Sequence, residues 1–401
     1  MALESILSPN LAQNLLSLYG SPLYVYNGDS LRETIERITK AIPYPQTQFC
    51  FASVTNGNIS LLRIFRDAHW SLHANTPGDI YLGLKAGFEP QHIVYSGSNL
   101  NREEMAQVLN WGVSVLNLDS LSQLDLCCEV YQSLSLNAKP PNLRLGLRLN
   151  EPTLTGDSRI GVRPQEFPEA IAITQSAQLK LSGLHFYRGT GTNATKAFTQ
   201  VIDSILAIGE QLPDWKYLDF GGGFGYPYVH GGAAFDWYEF GQVLTERLNQ
   251  QGGGIDLVIE PGRAAIAGCA ILLTTVVSIK WQSHKQIVGV DTTIANLSVP
   301  SVHGGYREIV GLTAPISDTL YLTDVCGNTT YSGDYLGRNR PLPKLAIGDI
   351  LAILDVGAYG YAMSSHFLHR LRPAEVLLEQ NQHRLIRHRE DYQVLLVNQH
   401  I

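Results

Sequence analysis

From about residue 30 to about residue 265, short apolar runs rich in β-formers alternate with amphipathic helical stretches, about eight times over. Strand-like runs fall at Phe49 to Ser53, Trp70 to His73, His92 to Tyr95 and Val113 to Leu118. Four more fall at Leu143 to Leu149, Leu179 to Phe186, Trp215 to Phe220 and Asp256 to Glu260. Helical stretches such as Arg102 to Trp111 and Ala197 to Gln211 lie between them. Repeated strand–helix units of this length predict a parallel sheet closed into a (β/α)8 barrel over residues 30–265, with a doubly wound open sheet as the alternative.

After about residue 265 the pattern changes. Ala270 to Trp281, Lys285 to Val290, Thr319 to Thr323 and Leu351 to Asp355 read as strands, with turns at Gly327-Asn328 and Gly348-Asp349. This predicts a mostly β domain over 266–401. Pro22-Leu23-Tyr24-Val25-Tyr26 is also strand-like and is expected to pair into it, so the β domain takes in residues 1–29.

Bulk properties narrow the class. At 401 residues with 44% apolar and 16% charged side chains, the chain has the makings of a large core and two domains. A net charge of −7 with no basic run argues against a nucleic-acid partner. No apolar run approaches the roughly 18 residues of a membrane span. Met1-Ala2-Leu3-Glu4-Ser5 lacks the order of a signal peptide. Cys50, Cys127, Cys128, Cys269 and Cys326 are odd in number and show no metal-ligand spacing. Adjacent Cys127 and Cys128 suit a helix interior, and reduced thiols in a soluble, cytoplasmic protein are the expectation.

Two glycine-bearing segments follow the last two predicted barrel strands. In Asp219-Phe220-Gly221-Gly222-Gly223-Phe224-Gly225, the glycines let backbone N–H groups approach an anion. Taken alone, the triplet is equally a tight turn. Glu260-Pro261-Gly262-Arg263 adds a carboxylate, a close-approach glycine and a fixed cation beside it, where barrels commonly bind phosphate. Asp355-Val356-Gly357-Ala358-Tyr359-Gly360-Tyr361 supplies a further Gly-rich turn from the β domain.

These motifs, with Gly20-Ser21-Pro22-Leu23-Tyr24-Val25-Tyr26, His185-Phe186, Ser332-Gly333-Asp334 and Arg372-Pro373-Ala374-Glu375-Val376, run in one order along nearly the whole chain. Jointly they resemble the fold-type III pyridoxal-phosphate-dependent decarboxylases of the diaminopimelate and ornithine type. The resemblance implies an alanine-racemase-like barrel followed by a β domain. It also implies a head-to-tail dimer, either of two copies or with a homologue. By that resemblance Gly221, Gly222, Gly223, Gly262, Arg263 and Tyr359 hold the cofactor phosphate. Glu260 pairs with the pyridine nitrogen.

The reacting end departs from the family pattern. Phe51-Ala52-Ser53-Val54-Thr55-Asn56 aligns with a family segment reading roughly Tyr-Ala-Val-Lys-Ala-Asn, whose lysine holds the cofactor as a Schiff base. Val54 stands at the lysine position, and by itself reads as a buried strand residue. His73 takes the place of a nearby aspartate; an unpaired buried carboxylate would be costly once the lysine is gone. Tyr187 replaces the histidine that stacks on the cofactor ring and can itself stack. Thr330-Tyr331 replace the Cys-Glu pair whose cysteine donates a proton, and Cys326 is offset from that position. Val299 and His303 stand near positions of a substrate-binding arginine and tyrosine; valine cannot clamp a carboxylate. Asp334 and Arg148 are the candidate substrate contacts.

No other lysine takes over. Lys180 and Lys216 open predicted strands, at the bottom of a barrel; Lys40, Lys85 and Lys196 lie on helices or loops; Lys280, Lys285 and Lys344 lie in the β domain. Three readings follow: an orthodox amino-acid decarboxylase, a divergent relative, and a non-catalytic ligand sensor or partner subunit. The divergent relative would hold pyridoxal 5'-phosphate or a related phosphate-bearing ligand non-covalently.

Overall fold

The computed structural model describes residues 7–156, 158–189, 191–314 and 318–400. The chain divides into two compact units, one of Arg32–Pro227 with Ala233–Ala265, the other of the residues up to Leu31, Tyr228–Gly232 and the residues from Ile266 onward.

The first strand, β1 (Leu23–Asn27), belongs to the second unit, while β2 (Thr47–Ala52), β3 (Ser71–Ala74), β4 (Ile93–Tyr95) and β5 (Val115–Leu118) open the first. With β6 (Arg144–Arg148), β7 (Leu181–His185), β8 (Tyr217–Asp219) and β9 (Asp256–Ile259) they form a closed parallel barrel in which β9 pairs back onto β2. The open doubly wound sheet is thereby excluded. Cys50, Val94, Val115, Tyr217 and Val258 pack as one core cluster. Tyr217 dictates two glycines: a Cβ on Gly183 would lie 1.9 Å from its Cζ, and one on Gly146 2.3 Å from its hydroxyl. Its hydroxyl donates to Asn117 Oδ1 at 2.9 Å, so one large side chain fills the barrel and ties β8 to β5.

The second unit is a β unit of β10 (Ala270–Gln282), β11 (Lys285–Val290), β12 (Ile309–Gly311), β13 (Tyr321–Cys326), β14 (Tyr335–Leu342), β15 (Ile350–Ile353), β16 (Ala374–Glu379) and β17 (Gln382–Arg387), together with β1. The main path runs β14-β13-β11-β10-β1-β16-β17, with β15 pairing to both β10 and β12. β1 therefore sits between β10 and β16, antiparallel to one and parallel to the other. Alternation along it separates two faces. Leu23 and Val25 join the cluster with Ala12 and Leu15 of the helix Pro9–Tyr19. Tyr24 and Tyr26 instead donate hydroxyl hydrogen bonds, to the Asn296 carbonyl and to Glu375 Oε1.

Three readings of local structure need correction. The helix expected at Ala197 to Gln211 is two helices, Thr195–Thr199 and Ile202–Gly209. The strand expected at Thr319 to Thr323 is β13, shifted to Tyr321–Cys326. β12, β14, β16 and β17 carried no recognisable pattern, because Arg338, Arg340, Pro341 and Arg384 interrupt the apolar alternation in the longer ones. The five cysteines are unpaired, and Cys127 and Cys128 are buried in the helix Leu121–Ser133. Among the described residues no helix is long and apolar enough to cross a membrane.

Candidate active site

Polar side chains gather where the barrel strands end. His73 lies on β3, Arg148 and His185 close β6 and β7, Asp219 closes β8, and Glu260 follows β9. Parallel closure aims every strand at the same rim, so residues 187 positions apart in sequence meet.

Glu260 is the hub. It is almost wholly buried, with His73 Nε2 3.4 Å from Oε1 and His185 Nε2 3.4 Å from Oε2. Neither imidazole makes a hydrogen bond through either ring nitrogen among the described residues, and Glu260 Oε1 has no donor. Asp219 is held from both sides: Oδ1 accepts from the Gly221 N–H at 3.0 Å and Oδ2 from Asn117 Nδ2 at 2.8 Å. It also shares a hydrogen bond with Glu260.

Burial governs the charges here. It pushes the Glu260 carboxyl up to about 7, against the opposing pull of the Asp219 hydrogen bond and the Arg148 charge. Burial and then the Glu260 charge hold the Asp219 carboxyl well above the usual range. Burial brings His185 down to about 4, although Asp219 favours its cation. His73 is depressed by burial, then by His185 and Arg148. At neutral pH both imidazoles are neutral, so their approaches to Glu260 are not ion pairs. Arg148 lies 5.0 Å over the Tyr187 ring. Burial lowers its pKa, with Glu260 the foremost charge opposing that.

The glycine loop stands beside this cluster. Gly221 and Gly223 take φ of +68° and +92°, open to glycine and strained for other residues. A Cβ on Gly222 would lie 2.6 Å from the Glu260 carbonyl. Phe220 and Phe224 anchor the loop's ends in an aromatic cluster with Phe198, Phe235 and Phe240. Among the described residues no acceptor is bonded to the Gly222 or Gly223 N–H. Two N–H donors without a bonded acceptor, in a cradle closed to side chains, suit a phosphate. An accepting carboxylate oxygen at Glu260 suits a protonated ring nitrogen. The residues present therefore fit pyridoxal phosphate.

Val54 is not the buried strand residue expected. It is 43% exposed, in the 3-10 turn Ser53–Thr55 that follows β2. The turn is pinned by Ser53 Oγ donating to the His73 carbonyl at 2.9 Å. It packs on the second motif: a Cβ on Gly262 would lie 2.7 Å from Thr55 Cγ2 and 3.0 Å from Ala52 Cβ.

The remaining predicted residues lie in the β unit. Asp334 is buried and accepts from Thr293 Oγ1, the Ile294 N–H and Thr329, so its oxygens are engaged within that unit. Thr330 and Tyr331 are exposed, Val299 is buried and His303 is exposed. Tyr359 has φ +58° in the turn after β15. Lys180 binds Asp214 below β7, Lys40 pairs with Glu36, and Lys85 sits over Tyr81. Sequence reasoning gave no role to His185, Asp219 or Asn117. Their signal was position: each is polar at or next to the carboxyl end of a barrel strand.

A closed parallel barrel with a glycine cradle after β8 and Glu-Pro-Gly-Arg after β9 defines the barrel class of pyridoxal-binding proteins. Residues 28–267 match the family model for the pyridoxal binding domain of pyridoxal-dependent decarboxylases, and the chain belongs to this family. It is 32% identical to a diaminopimelate decarboxylase of Methanothermobacter thermautotrophicus, over 97% of this chain and 94% of that one. It is 28% identical to that of Aquifex aeolicus, over 96% and 93%. The crystal structure of diaminopimelate decarboxylase from Helicobacter pylori complexed with L-lysine superposes with a TM-score of 0.87, at 27% identity, covering 96% of this chain and 98% of that one.

Proposed function

We propose that this chain is a divergent relative of the diaminopimelate and ornithine decarboxylases that holds pyridoxal phosphate, or a related phosphate-bearing ligand, without a covalent bond. Its second ligand would be amino-acid-like, and its chemistry altered. Val54 carries the reading. It stands where the family attaches the cofactor, and a valine offers no nucleophile.

Bound at the barrel rim, pyridoxal phosphate supplies an electron-poor ring that stabilises negative charge developing beside it. The chain's own groups do the holding. The Gly222 and Gly223 N–H groups and the Arg263 guanidinium would take the phosphate, Tyr187 would cover the ring, and Glu260 would pair with the ring nitrogen. Burial raises both the Asp219 and the Glu260 carboxyls, and Glu260 Oε1, which has no donor among the described residues, would be the acceptor offered to that nitrogen. His73 and His185 exclude water from the same carboxylate. The protein would work in the cytoplasm on a small molecule, as a head-to-tail pair of copies or with a homologue.

The test is attachment. Equilibrium dialysis with pyridoxal phosphate should show binding below millimolar. Borohydride treatment followed by intact-mass measurement should leave the folded chain unmodified. A stoichiometric adduct mapped to one lysine would overturn the proposal in favour of an orthodox decarboxylase. Val54→Lys should create an adduct at residue 54 without efficient decarboxylation, since Thr330, Tyr331 and Val299 are unchanged. A second reading, a ligand sensor or partner subunit, is favoured by those same replacements. It predicts binding without turnover of any amino acid, including in mixture with an active homologue.

A further inference from the structure

Within the β unit, the short helix Val299–Val302 and the loop after it meet β14 around a cavity of about 350 Å³. Ser301, Gly304, Tyr306, Tyr335, Arg338 and Arg340 contribute to its walls, and no carboxylate does among the described residues. Each arginine rests on an aromatic ring. The Arg338 guanidinium lies 3.6 Å from the centre of the Tyr335 ring, and that of Arg340 3.9 Å from the centre of the Tyr306 ring. Tyr306 is itself tethered, its hydroxyl donating to Glu308. Among the described residues neither arginine has an ion-pair partner, and Arg340 Nε is buried without an acceptor. A cation withdrawn from water in this way costs stability until an anion joins it. We propose that this cavity binds a small phosphate ester, with Arg338 and Arg340 as its charged contacts.

The backbone is built to bring the two cations together. The ladder between β13 and β14 slips between the pairs Thr323–Arg340 and Val325–Gly337, which inserts one extra residue into β14. There Asn339 takes φ +54°, uncommon away from glycine. Its N–H donates to Asp324 Oδ1 at 2.8 Å, and its Oδ1 accepts from Lys285 Nζ at 2.7 Å. Bulges of this kind re-aim side chains, and Arg338 and Arg340, on either side of this one, reach the same cavity. Gly304 adds a backbone donor: its N–H has no acceptor among the described residues, and its φ of +64° faces open space. Two forked guanidinium groups and an N–H suit the three acceptor oxygens of one phosphate better than the spread charge of a dicarboxylate. Stacking on tyrosine orders the arginines before the ligand arrives, which lowers the entropy cost of binding. The volume is that of a small-molecule pocket. Val299, His303, Thr330 and Tyr331 do not line it, so it is separate from the positions that the family resemblance connects with reaction and substrate. The inference is independent of the proposed function, because residues of the β unit alone build the cavity.

The full chain is titrated calorimetrically with glycerol 1-phosphate at low ionic strength, with succinate as the dicarboxylate comparison. The expected result is a saturable event of submillimolar Kd that weakens as salt is added. Arg338→Gln and Arg340→Gln should each weaken it at least about tenfold, the loss of one charge-assisted hydrogen bond. Arg63→Gln, which removes an exposed charge from the helix Ile59–Asp67, should leave it unchanged. The probe can also meet the glycine loop of the barrel, so Arg263→Gln is titrated beside them, and the event should persist there. An event lost in Arg263→Gln and kept in Arg338→Gln belongs to the glycine loop and would overturn the proposal. So would the absence of saturable binding, or succinate binding as tightly as glycerol 1-phosphate. Should Arg340→Gln lose its native circular dichroism, Arg338→Gln decides, because Arg338 is exposed.

Discussion

Glu260 shows what one buried carboxyl does to the pH behaviour of a barrel. Its folded pKa, pushed up to about 7, lies above the value of about 4.3 for an exposed glutamate. The folded state thus holds its proton more tightly than the unfolded chain. The sign follows: that contribution to stability is fully present below about pH 4 and is lost as pH rises through 7. Glu260→Gln removes the ionisation and keeps the shape. Measured by urea denaturation, the variant should match the unmodified chain near pH 4. It should exceed it at pH 8 by up to on the order of 3 kcal/mol, the linkage value for this shift. The neighbouring Asp219 carboxyl is raised as well, so the gain lies at or below that limit. A variant equally destabilised at both pH values would mean that Glu260 is held as a charged partner and not as a buried acid. The carboxylate itself was legible in Glu-Pro-Gly-Arg. Its two imidazole neighbours were not, because residues 73, 185 and 260 converge only when the sheet closes.

At the scale of elements, the glycine loop depends on what flanks it. Phe220 and Phe224 enter an aromatic cluster, with Phe198 and Phe224 stacked at 4.9 Å, so the intervening glycines are stretched between fixed anchors. Gly222→Ala sets a methyl 2.6 Å from the Glu260 carbonyl, an atom of the backbone that cannot step aside. Overpacking of this kind costs typically about 1–3 kcal/mol. The melting temperature should fall, and pyridoxal phosphate should bind at least tenfold more weakly by dialysis. Unchanged affinity would remove this loop from the phosphate site. The barrel strands were readable because each is a short apolar run bounded by turns. Val54 was misread as a buried strand residue because it directly follows an apolar run, whereas the chain winds there into a 3-10 turn that leaves the side chain 43% exposed. β14 was missed for the opposite reason: arginines and a proline mask a partly buried strand.

At the scale of the molecule, the β unit draws its middle strand from the start of the chain. β1 separates β10 from β16, nearly 250 residues or more away in sequence, and supplies registers to both. The pairing was expected from Pro22 to Tyr26, but its central position was not. A strand sequence reports its faces; its neighbours are fixed only by long-range pairing. A chain beginning at Gly28, where the family match also begins, would lose the four buried side chains of β1, Leu23, Tyr24, Val25 and Tyr26, along with buried Leu7, Ala12 and Leu15 before it. At about 1.5–3 kcal/mol for each large apolar side chain, the loss rivals the typical 5–15 kcal/mol stability of a whole domain. The path would also break into β14-β13-β11-β10 and β16-β17, each with a newly unpaired strand. Limited proteolysis should therefore cut the truncated chain between residues 270 and 387 at protease levels that spare the full chain. Equal resistance would show that the β unit folds without β1.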